Sequence, residues 1–121
     1  MKAYEVITRS EEENYTFRYC TFLDTFFRSK NKDEVIRDEP TVKGTATPQQ
    51  EAQLAAAVHY LANKESIRVP EWVMKDRYFL DSPVYPFDET SQEYKDFMAR
   101  TTPPEFAVRK VLFGDNVCKR V

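Results

Sequence analysis

Thr47-Pro48-Gln49-Gln50-Glu51-Ala52-Gln53-Leu54-Ala55-Ala56-Ala57-Val58-His59-Tyr60-Leu61-Ala62-Asn63-Lys64 is the stretch whose reading decides the fold class. Thr47 can cap a helix, and Pro48 falls at the first helical position, where its missing N–H costs nothing. Gln50 then completes a capping box, its side chain reaching back to the cap amide. Ala52, Leu54, Ala55, Val58, Leu61 and Ala62 follow at helical spacing and carry the helix to about Lys64. The alanines favour helix, and their small size lets another helix approach closely.

Helical signals continue on both sides. Upstream, Ser10 and Glu13 have capping-box spacing, and Glu11, Glu12 and Glu13 suit the positive end of a helix. Tyr15, Tyr19, Phe22, Leu23, Phe26 and Phe27 form one broad apolar face, so Ser10 to Ser29 reads as helix. Asn31 and Glu34 repeat the capping spacing for a short helix through Val35 and Ile36. It must stop near Asp38, because Pro40 drives Glu39 out of helical geometry. Thr41 to Ala46, containing Gly44, reads as a loop.

Downstream the style changes. Pro70 to Met74 suits one helical turn, and Tyr78-Phe79-Leu80 with Ser82 to Phe87 makes an irregular aromatic wrap. Pro83 and Pro86 bar a regular helix or central strand there. Thr90 with Glu93 opens a helix bearing Tyr94, Phe97 and Met98, and Thr102-Pro103-Pro104-Glu105 starts another through Phe106. Lys110 to Phe113 is the best strand candidate, with a turn at Gly114-Asp115, and Asn116 to Val121 is a short helix or an extended tail. The expectation is mainly α: one domain over 1–121, a bundle of four to six helices with a Pro/aromatic-rich wrap and at most a short C-terminal extended segment.

The totals bound the function. With 41% hydrophobic and 31% charged residues, the 121-residue chain can bury one core without disulfide or metal. A formal charge of -2 disfavours a dedicated nucleic-acid binder, which needs a basic surface to displace counterions. The longest wholly apolar run, Leu54 to Val58, is far too short for a bilayer. Met1 to Ser10 carries no apolar signal segment, so a cytoplasmic protein with no membrane association is expected. In that compartment Cys20 and Cys118 are read as reduced thiols rather than a disulfide.

Few residues carry recognisable chemistry. His59 is the lone histidine, and its helical phase makes it a rim or packing residue rather than a base. No nucleophile-elbow sequence accompanies it, and one histidine with two distant cysteines makes no zinc set. Glu11, Glu12 and Glu13 point in three directions around a helix. Gly44 and Gly114 are the only glycines, so neither a P-loop nor a dinucleotide fingerprint can be written. No catalytic residue, cofactor or metal is therefore expected. Cys20 is read as core, and Cys118 as an exposed thiol with a mildly lowered pKa. Trp72 is read as filling a gap between helices with its N–H bonded to a carbonyl.

One segment stands out. Arg109, Lys110, Lys119 and Arg120 flank Leu112, Phe113 and Val117, and aromatics bordered by basic residues are typical of binding hot spots. These seven residues form the candidate partner contact. The alternative is an edge segment tucked onto the core with its charges in water, Phe113 anchoring it.

Pro70-Glu71-Trp72, Tyr78-Phe79-Leu80 and Pro104-x-Phe106-x-x-Arg109-Lys110-Val111-x-Phe113-x-x-Asn116-Val117 resemble the closing part of a family of small, poorly characterised bacterial proteins. The resemblance covers roughly residues 50 to 121. It implies a helical front half before a Pro-Glu-Trp element and a closing Phe-x-x-Arg-x-x-x-Phe element. Members sometimes follow a helix-turn-helix DNA-binding domain. Some resemble the antitoxin side of toxin–antitoxin-type pairs, beside a nucleotidyltransferase-like gene. The chain ahead of the Phe-rich helix is too short for an added DNA-binding domain, so a direct repressor role is not expected. The resulting expectation is a non-enzymatic bacterial protein-interaction module, antitoxin-like, with a protein partner; self-association stays open. The alternatives are an enzyme using His59 or a carboxylate pair assembled by folding, and a nucleic-acid-associated accessory protein.

Overall fold

The computed structural model describes residues 1–8, 15–40, 46–86, 91–115 and 117–118. Its elements are α1 (Ala3–Thr8), α2 (Tyr15–Arg28), α3 (Lys32–Ile36), α4 (Pro48–Lys64), two 3-10 turns (Glu71–Met74 and Asp76–Tyr78), α5 (Gln92–Thr101) and α6 (Pro104–Ala107). The architecture is mainly helical, as expected, and no strand forms among the described residues.

The helix starts follow local chemistry, with two departures. At α4 the Gln50 amide donates to Thr47 Oγ1 at 3.1 Å while the Thr47 amide donates to Gln50 Oε1 at 3.0 Å, a complete capping box. At α3, Asn31 occupies the cap position but makes no side-chain cap bond. At α5 the cap is Ser91, whose Oγ accepts from the Tyr94 amide at 3.3 Å, one residue later than the Thr90–Glu93 spacing predicts. Thr90 itself, the Ser10–Glu13 box and the loop up to Thr45 lie outside the described residues. The sequence reading assigns nothing before Ser10, yet α1 buries Ala3, Val6 and Ile7. Six residues are too few for helical periodicity to announce itself.

Helix α4 is the centre. Ala52, Leu54, Ala55, Ala56, Ala57, Val58, Leu61 and Ala62 are all fully buried, so the helix is enclosed on more than one side. The alanine run lets α1, α6 and both 3-10 turns close on it. Helix α1 also touches α2 and α3, joining the aromatic front half to the same core. From α2 come Tyr19, Phe22, Leu23 and Phe26, while Phe27 stays largely outside. Trp72 closes the gap between α3 and α4 as expected, its indole N–H donating to the Ile36 carbonyl at 3.2 Å. Its ring meets Tyr78 edge-on at 5.3 Å between centroids.

Lys110 to Phe113 does not form a strand. Lys110 sits in the left-handed region at φ 64°, so the chain turns there instead of extending. The Val111 amide reaches back to the Phe106 carbonyl at 3.1 Å and the Lys110 amide to Ala107 at 2.9 Å. That pair of bonds is a Schellman closure of α6, with Val111 and Phe106 both buried beneath it. Only Val111 pairs, in a single parallel bridge with Val84. The end of α4 closes the same way: Ser66, at φ 56°, lets Ile67 bond to Ala62 at 3.0 Å and Ser66 to Asn63 at 3.3 Å. Neither left-handed position holds a glycine.

A lysine in this region carries strain that glycine would not. Lys110→Gly should therefore raise unfolding stability in urea by about 0.5–1 kcal/mol, the relief outweighing the added freedom of the unfolded chain. A clear loss of stability would mean that Lys110 is not held left-handed.

Candidate interaction surface around a buried arginine

Arg109 lies at the meeting point of α4, α6 and the first 3-10 turn, and its side chain is fully buried. The sequence reading puts it on a solvent-facing contact surface; the structure corrects this. Phe106 and Arg109 are three residues apart and share the inward face of the turn, so both enter the core. Arg109 Nη2 donates to the Val73 carbonyl at 2.6 Å and approaches Met74 Sδ at 3.8 Å. Its Nη1 donates to the Glu105 carbonyl at 2.8 Å and meets His59 Nδ1 at 3.1 Å. The guanidinium also lies over the Phe79 ring, 4.5 Å from its centroid. Burial pushes the Arg109 pKa down to about 10, against the opposing pull of Glu105, so the group remains a cation near neutrality.

His59 is half-buried at the edge of this joint, in keeping with a packing role. Arginine offers only donors, so His59 Nδ1 must accept and the neutral ring carries its proton on Nε2. Burial first, and the Arg109 charge second, hold the His59 pKa below its usual value, with Glu105 acting the other way.

The other expected contact residues do not share one exposed face. Lys110 is exposed, and its ammonium donates to the Asp81 carbonyl at 2.7 Å. Leu112, Phe113 and Val117 are half-buried, and Phe113 and Val117 pack against the protein's own core. Lys119 and Arg120 lie outside the described residues. The two thiols reverse their expected places. Cys118 is buried, and desolvation pushes its pKa up to about 12, although the Tyr19 hydroxyl beside it pulls the other way. Cys20 is the half-exposed one.

The side chains that do face outward beside Arg109 are Met74 and Val108, 54% and 57% exposed. Met74 touches the guanidinium directly, and Val108 adjoins Arg109 in the chain. The sequence reading passes over both. Helical stagger is the signal that could have found Val108: with Phe106 and Arg109 inward, Ala107 and Val108 between them must turn away, and Val108 is the larger of the two. Helix α5 carries an exposed ring, Phe97 at 51%, and none of its residues is buried. It is held from one side by Tyr94 against Tyr85 and by Met98, whose sulfur comes within 3.1 Å of where a Gly114 Cβ would sit. An open cleft of about 520 Å³ lies elsewhere, between α3 and the Pro70 turn, lined by Asp33, Arg37, Asp38, Glu39, Glu71 and Trp72 among others. Its charges are largely engaged with one another: Arg37 holds Asp33 at 2.9 Å, and Glu39 accepts from Lys75 and from the Tyr78 hydroxyl. Among the described residues no three of His, Cys, Asp and Glu gather as a metal set, and no helix is long and apolar enough to cross a membrane. No protein-family model, curated protein or solved structure matches the chain.

Removing the guanidinium would strand the Val73 and Glu105 carbonyls in the interior. Arg109→Met should therefore cost about 2–4 kcal/mol in urea denaturation despite its similar reach. Arg109→Lys should recover little of that loss, because one ammonium cannot fork to α4, α6 and the 3-10 turn together. An unchanged unfolding midpoint in both variants would show that the arginine is not the joint.

Proposed function

We propose that the chain is a non-catalytic bacterial protein-interaction module, the antitoxin-like partner of a co-expressed protein, and that Met74 and Val108 form the centre of its contact. The observation that carries the reading is the pairing of two exposed apolar side chains with a rigid support. Met74 and Val108 are exposed, the first touching and the second adjoining in sequence an arginine bonded to three elements. An anchor that is already ordered loses little freedom on binding, which favours affinity.

The family resemblance supports the same reading. Its Pro70-Glu71-Trp72 element and its Phe106-x-x-Arg109 element meet directly, through the bond from Arg109 to the carbonyl after Trp72. The motif residues Trp72, Phe106 and Arg109 are buried, so they build the support while neighbouring residues face outward. The expected partner surface is apolar with a carboxylate placed for the exposed Lys110 ammonium.

The test is co-expression with the product of the adjacent gene, using the wild-type chain and the variant Val108→Glu, which leaves the Met74 contact to Arg109 in place. Because Val108 is exposed, the variant should melt within about 2 °C of wild type while its affinity falls at least tenfold, about 1.4 kcal/mol. Undiminished capture by the variant, or no complex with the wild-type chain, would remove the proposal.

A further inference from the structure

We propose that His59 and Arg109 form an acid-sensitive latch: a proton on His59 Nδ1 releases the Arg109 guanidinium and, with it, the C-terminal arm from α4. In the closed state the imidazole nitrogen is an acceptor for Arg109 Nη1 at 3.1 Å. Protonation turns that nitrogen into a donor and sets two cations against each other across the same gap. The ring is only half-buried, so a proton can reach it without unfolding the core.

The surroundings offer little to absorb the new charge. From α6 and the turn after it, the charged groups acting on the ring are Arg109 and Glu105, and Arg109 outweighs Glu105. Glu105 is turned aside: its Oε2 accepts from Asn63 Nδ2 at 2.8 Å, one turn further along α4. The first 3-10 turn brings Val73 and Met74 to the joint, and neither titrates. On the second 3-10 turn, Arg77 is engaged with Glu51 at 2.8 Å, two turns from His59 along α4.

What the latch holds is specific. The Arg109 carbonyl accepts from the Leu80 amide at 3.4 Å, the Lys110 carbonyl from Val84 at 2.9 Å, and the Leu112 amide donates to Val84 at 2.9 Å. The aromatic wrap from Leu80 to Tyr85 therefore docks on the backbone that Arg109 positions. Loss of the guanidinium's grip on α4 loosens both segments together.

The sign follows from linkage. His59 takes up a proton more readily in the unfolded chain, at its ordinary value of about 6.5, than in the closed fold. The latch's contribution is complete above that pH and is lost as pH falls below it, through the lower value of the closed fold.

The chain holds one histidine and one tryptophan, so each gives a single unambiguous signal. Trp72 precedes the residue whose carbonyl accepts from Arg109, which makes it a reporter of the joint. The experiment follows the His59 imidazole by proton NMR and Trp72 emission by fluorescence, from pH 8 to about pH 4. The expected result is a His59 midpoint below the ordinary 6.5, with Trp72 emission shifting at that same midpoint while the far-UV helical signal persists. In His59→Gln, which keeps an acceptor and cannot gain the proton, the Trp72 step should vanish. A His59 midpoint at or above the ordinary value overturns the proposal, using the wild-type protein alone. So does a Trp72 step that survives in His59→Gln, which would assign the response to carboxylates such as Glu39.

Discussion

One guanidinium joins the two halves of this protein. Arg109 reaches the core from the turn after α6 and is met there by two carbonyls, an imidazole nitrogen, a thioether and an aromatic face. Burying a cation is costly, and here the contacts on Nη1 and Nη2 offset that cost while the buried Nε–H has no hydrogen-bond partner. The gain lies less in net stability than in direction. A planar fork with fixed donors admits few arrangements of α4, α6 and the Glu71–Met74 turn, whereas apolar contacts alone would admit many.

The arginine can reach inward only because of how the chain turns. Two helices end by swinging a non-glycine residue, Ser66 or Lys110, into left-handed geometry. Each turn returns the next residue's amide to the helix just finished and sends the chain back across the core. After Lys110 this places Val111 beside Val84, so their bridge follows from a helix cap rather than from strand propensity. Phe106, Arg109 and Val111 all end up fully buried within six residues of chain. The same geometry leaves Val108 outside.

The sequence was legible where a feature is local and chemically explicit. The Thr47–Gln50 box, the alanine-rich face of α4 and the Pro70 turn all follow from near neighbours in the chain, and the Trp72 indole was legible from its chemistry alone, its partner Ile36 being distant in sequence. It was illegible where the deciding fact is tertiary. Arginine next to lysine reads as a hydrated surface, and only the meeting of Val73, Glu105 and His59 explains why Arg109 is inside. The Lys110 turn was missed for a related reason: helix ends are usually read from glycine, and this one has none. Cys118 looked exposed between charged neighbours, yet Tyr19, far away in sequence, covers it.

The central claim is that the Arg109 side chain, not the apolar contacts around it, docks the C-terminal arm on α4. Amide hydrogen exchange on wild type and Arg109→Met tests it most directly, because local opening is read residue by residue. The account predicts that the amides of Val84, Val111 and Leu112 lose protection in the variant, well beyond any change within α4. Equal loss of protection across the arm and α4, or no loss in the arm, would contradict it.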